Sequence, residues 1–124
     1  MDTPIKTIAI EFLRMAAAGQ VREAFRLHVA DSFRHHNPYF GGDREALLEA
    51  MEQSSAAEPN KTFEVHQAIA DAETVAVHSH LKRAATRHEY AVVHILKFED
   101  GKIIEMWDVA QEIPSEPANE CGMF

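Results

Sequence analysis

Phe98-Glu99-Asp100-Gly101-Lys102-Ile103-Ile104-Glu105-Met106-Trp107-Asp108 is the stretch whose reading decides the fold. Two β-rich arms, Tyr90 to Phe98 and Lys102 to Ile113, flank a short polar break that ends in glycine, so the chain turns back on itself as a hairpin. Taken as a three-residue loop with a bulge, Glu99-Asp100-Gly101 pairs Phe98 with Lys102, His94 with Met106 and Val92 with Asp108. His94, Met106 and Asp108 then share one face. A two-residue Asp-Gly turn shifts the register by one and sets Trp107 opposite His94 instead.

The alternation continues upstream. Phe63, Val65 and Gln67 open one run, Asp71-Ala72-Glu73 reads as a turn, and Val75, Val77 and Leu81 then alternate with Ala76, His78 and His80. Before Pro59 the period is helical. Thr3 and Pro4 predict a cap and a first helical position, with Ile5, Ile8, Phe12 and Met15 on one face and Gly19 as the stop. Val21, Ala24, Phe25 and His28 mark a second helix ending near Asp31. Asp43 caps a third, whose Leu47, Leu48 and Met51 face inward before Ser54-Ser55 and Pro59 end it. Helices first and antiparallel strands afterwards predict an α+β fold, three N-terminal helices packed on a curved sheet with a concavity between the layers. One domain of 1–124 is expected, with Pro114 to Phe124 as a tail.

Composition narrows the partners. Twenty acidic against twelve basic residues give a formal charge of -8, and the basic ones are scattered, so phosphate backbones and anionic membrane faces are repelled. No window approaches the roughly 18 consecutive apolar residues of a membrane span. Met1-Asp2-Thr3-Pro4 lacks the pattern of an export signal, and a single cysteine, Cys121, fits a reducing compartment; the cytoplasm is the expected location.

Chemistry concentrates in two places. Phe33-Arg34-His35-His36-Asn37-Pro38 gathers two imidazoles and an amide before a proline that discourages helix, and Trp107-Asp108 places a carboxylate in a late strand. Were the fold to close them on one concavity, Asp108 could act as general acid or base with its proton affinity raised by burial. His94 could orient it or relay its proton, and His36 with Asn37 could steady an oxyanion. Phe33 and Met106 would supply apolar wall and His78 a polar contact, while His35 is expected in solvent. His78 and His80 with His94 and Asp108 form a conceivable ligand set, but no metal or cofactor is expected, because strand histidines at this spacing mostly line a surface. Trp107 is expected to pack on the face opposite the site.

The run from Phe33 to Pro38 with Gly41-Gly42, then Val77-His78-Ser79-His80, Phe98 to Val109, and Asn119-Glu120-Cys121-Gly122-Met123-Phe124 together resemble the SnoaL-like branch of the NTF2-like superfamily. The resemblance implies a cone-shaped α+β barrel around a deep pocket, dimeric through the outer face of its sheet. It also implies cofactor-free chemistry on a small, partly apolar carbonyl compound, since relatives include polyketide cyclases performing aldol reactions, isomerases and dehydratases. Asp108 matches the general acid/base of the cyclases, and His36-Asn37 match a His-Asn-Pro element at the pocket rim. Some relatives carry an acidic residue at the position of His94 and a histidine at that of Met106; this chain departs at both. Other NTF2-like domains bind without catalysing, which is the alternative function.

Overall fold

A computed structural model describes residues 3–124; Met1 and Asp2, part of the leader reading above, lie outside the described residues. Helix α1 spans Ile5–Ala17 and buries Ala9, Phe12, Leu13 and Ala16. Pro4, not Thr3, is its N-cap, so the helix begins one residue later than expected. Helix α2, Val21–His28, is followed at once by a strand, β1, Val29–His35. Periodicity predicts a second helix ending near Asp31 and no strand here; the helix instead stops at His28. Helix α3, Arg44–Ala57, begins as expected, the Asp43 carboxylate accepting from Ala46 N–H at 2.7 Å. Four strands follow: β2 (Thr62–Asp71), β3 (Thr74–Lys82), β4 (Glu89–Glu99) and β5 (Lys102–Glu112).

The strands form one sheet in the order β1-β5-β4-β3-β2. Only β1 is parallel to its neighbour, and this pairing carries the segment after α2 to β5. Helix α1 packs on β2 and β3, and α3 on α2 and β1, so the helices cover one face, called inner below. Phe12 and Phe25, both fully buried, meet there with ring centroids 5.5 Å apart, and Phe33 joins edge-on to Phe25. Removing such a ring costs about 3–5 kcal/mol through lost burial and the cavity left behind.

The hairpin differs from both registers considered above. Glu99 pairs with Lys102, so the turn is the two-residue Asp100-Gly101, with φ of 51° and 76° as a type I′ turn requires. Phe98 pairs with Ile103 but Lys97 with Glu105, leaving Ile104 as the extra residue of a bulge. From there His94 stands directly opposite Asp108 and Leu96 opposite Met106. The turn alone would have reversed the faces, and the bulge restores them. His94, Met106 and Asp108 do share the inner face, by a different pairing from the expected one.

Candidate functional site

Asp108 is half-buried on the inner face of β5, and the residue that meets it is Asn37, just beyond the end of β1. The Asn37 Nδ2 group donates to both carboxylate oxygens, at 3.2 and 3.0 Å, while Oδ1 accepts from Tyr39 N–H at 2.9 Å. The amide is thereby oriented from both ends: a turn fixes its oxygen, which leaves its nitrogen for the carboxylate. His35 supports this turn from below. Its Nδ1 accepts from Asn37 N–H at 3.1 Å and its Nε2 donates to Gly41 O at 2.5 Å, a pattern that only the neutral ring with its proton on Nε2 can satisfy. His35 is 5% exposed, so the expectation that it lies in solvent is corrected.

Across the strand pair stands His94. Its Nδ1 is buried with no hydrogen-bond partner among the described residues, and its ring packs against Phe63 in a T-shaped arrangement. Burial pushes the imidazole down to about 4, against a smaller opposite pull from the Asp108 carboxylate. At neutral pH His94 is therefore uncharged, a single N–H donor with one free acceptor position. Ser79 lies on the same face of β3 and is fully buried, its Oγ likewise without a partner.

A cavity of about 140 Å³ opens over His94. Leu13, Ala16 and Ala17 of α1 wall one side, Met51 and Ser54 of α3 another, and Phe63, Leu81 and His94 form the floor. Lys61 completes the lining, its Nζ donating to Ser54 Oγ at 3.3 Å, and burial holds this ammonium below the usual lysine range. Asp108 is not among the lining residues; it stands one strand further, behind His94.

The expected residues thus separate into three groups. Asp108, Asn37 and His94 come together. His36 does not join them: its ring stacks on Trp107 at 4.9 Å on the outer face and its Nε2 bonds Glu105 at 2.6 Å. Bonding to His36, with the charge of Arg34, holds Glu105 below the usual carboxylate range. The reason is alternation: the residue following His35 must point the other way, and His35 takes the inner side beside Met106. His78 is also on the outer side, sharing a hydrogen bond with Gln67. The conceivable ligand set of His78, His80, His94 and Asp108 is therefore split by the sheet. Phe33 and Met106 are core rather than cavity wall, 3% and 5% exposed. Trp107 does lie opposite the site, as expected. Lys61, Ser79 and His35 were missed; a strand assignment for Val29–His35 would have exposed His35 by its parity with Phe33, whereas nothing local marks Lys61.

A five-stranded sheet with helices packed against it, and a polar cluster beside a small apolar cavity, defines an α+β architecture. A family profile described as SnoaL-like domain matches residues 9–106. The chain belongs to the SnoaL-like domain family. The matched segment holds Asn37 and His94 and stops two residues before Asp108. Among solved structures, the chain is similar to an NTF2-like protein of unknown function from Cytophaga hutchinsonii, 13% identical, with a TM-score of 0.72 and coverage of 90% of this chain and 93% of that one. It is also similar to a protein from Bacillus cereus provisionally named a polyketide cyclase, at 20% identity, TM-score 0.73 and coverage of 84% and 72%. IdmH of Streptomyces antibioticus, provisionally named likewise, matches at 19% identity, TM-score 0.69 and coverage of 82% and 88%. At these identities the likeness speaks for the fold alone. No curated protein matches the chain. No described helix is long and apolar enough to cross a membrane.

Proposed function

We propose that this chain binds a small, partly apolar carbonyl compound in a pocket enclosed between sheet and helices and moves a proton on it, as a cofactor-independent lyase or isomerase. The supporting observation is the pairing of an Asn-clamped carboxylate with a neutral, unpartnered imidazole on the cavity side of the sheet. The apolar end of the ligand enters the cavity, whose size suits about one benzene-sized group. Its carbonyl oxygen takes the His94 N–H, and its acidic C–H reaches over His94 to Asp108, which removes the proton as general base and returns it as general acid. A neutral imidazole is the better donor for this task, since it polarises the carbonyl without surrendering its own proton. Lys61 favours an anionic substituent at the mouth. His36 has no part in this scheme, and Asn37 serves Asp108 rather than the ligand's oxyanion.

The cavity lining stops at His94, which favours a second reading, a module that binds such a ligand without turning it over. Either reading is tested by NMR titration with simple 1,3-dicarbonyl compounds. Ring resonances of His94 should move and those of His36 should stay; movement confined to the outer-face histidines would reject the site. Self-association through the outer face completes the proposal, because that face leaves Ile69 and Val109 63% and 67% exposed.

A further inference from the structure

The outer face of β2 and β3 carries a second constellation, on the other side of the sheet from the site above. Glu64 and His80 are direct cross-strand partners. Between Val65, which pairs with Ser79, and Gln67, which pairs with His78, the register shifts and His66 is the extra residue of a bulge. Normal alternation after Val65 would send Gln67 inward; the bulge turns it outward and keeps His66 beside Glu64 and His80. As a result one carboxylate oxygen of Glu64 and one ring nitrogen each of His66 and His80 lie within 4.8 Å of one another.

We propose that Glu64, His66 and His80 form a binding site for a divalent transition-metal ion of the zinc type. Two imidazoles and a carboxylate are a donor set that suits this ion, with a fourth position left for water or a further ligand. The three donors sit on paired strands, so little has to be ordered when an ion arrives. Glu89 bonds His80 Nε2 at 2.7 Å and holds that ring in place, the support from a second carboxylate that metal-binding imidazoles commonly have. Phe124 stacks on His66 at 4.3 Å and on His80 at 4.8 Å, shielding the ring faces while the side chain of Glu64 stays open for entry. An ion bound here would fix the tail against β2 and β3 through the rings it immobilises. Glu64 and Glu89 offset its charge.

The test is a calorimetric titration of the tag-free full chain with zinc ion at pH 7.5, where free imidazoles are neutral. One equivalent should bind, and His66→Ala and His80→Ala should each weaken binding at least ~10-fold, whereas His78→Ala, on the same face, should not. Copper(II) broadening of histidine ring resonances in the unaltered protein guards against a variant that fails to fold. His66 and His80 should broaden first. No stoichiometric binding, equal binding by His66→Ala, or broadening that begins at other histidines would overturn the site.

Discussion

At the scale of single residues, the central contact is the bond from Asn37 to Asp108. Asn37→Ala removes the only side chain that donates to this carboxylate among the described residues, and should cost about 1–3 kcal/mol by urea unfolding. Asn37→Asp should cost more, because it sets two carboxylates face to face; a neutral effect would mean that the pair does not form. His94 gives a pH-dependent test. Its folded value of about 4 lies below the ordinary 6.5, so the unfolded chain takes up a proton that the folded chain refuses. Its contribution is full above pH 6.5 and is lost as pH falls toward 4. Across that window, stability should decline more steeply in the wild type than in His94→Leu, by a total on the order of 1–3 kcal/mol once the open cavity beside the ring is considered. Parallel profiles would show that the imidazole is not buried uncharged. Asp108, His94 and Asn37 could be picked out in the sequence because each is polar in an apolar or turn setting. The choice between His35 and His36 could not, since it depends on which of two adjacent residues a strand turns inward, and that strand was not recognised.

Strands and turns decide whether those residues meet. The alternation of Val75, Val77 and Leu81 and the arms around Asp100-Gly101 made four strands legible, as the 3.6-residue period did the helices. β1 was not, because Val29-Ala30-Asp31-Ser32-Phe33 has no regular alternation and is stabilised by parallel pairing with a strand about seventy residues away. The bulge at Ile104 was equally hidden: nothing in Ile103-Ile104-Glu105 distinguishes an extra residue from a regular one. Deleting Ile104 should therefore remove the bulge without reversing the faces. With the extra residue gone, Ile103 and Glu105 become consecutive and still pair with Phe98 and Lys97, so Met106 and Asp108 stay on the inner face and only the local bend and one side chain are lost. Cooperative unfolding by circular dichroism should be retained at a cost of about 1–3 kcal/mol; loss of the cooperative transition would contradict the register. Gly101→Ala tests the turn more gently. No atom lies within 4 Å of an added Cβ, so a cost of about 1 kcal/mol should arise from the positive φ alone.

For the whole molecule, the sheet separates two chemistries. Its inner face carries the clamped carboxylate and neutral imidazole under an apolar cavity, and its outer face carries the exposed apolar patch and the Glu64, His66 and His80 cluster. Family and layer order were legible from four motifs spread along the chain, whereas the cavity's extent was not, because it depends on how closely α1 and α3 settle over the sheet. If the outer patch joins two copies, sedimentation should show a dimer, and Val109→Lys should yield a monomer that keeps the inner site. A wild-type monomer would reject that assembly without touching the chemistry. The chemistry itself is tested most directly by NMR detection of deuterium uptake at the carbon beside the carbonyl of 1,3-dicarbonyl compounds in heavy water. The wild type should accelerate exchange, and Asp108→Asn, with its fold intact, should lose roughly 10²–10⁴-fold of that acceleration. Equal exchange by the two proteins, or none above background with a compound shown to bind at His94, would contradict proton transfer by Asp108.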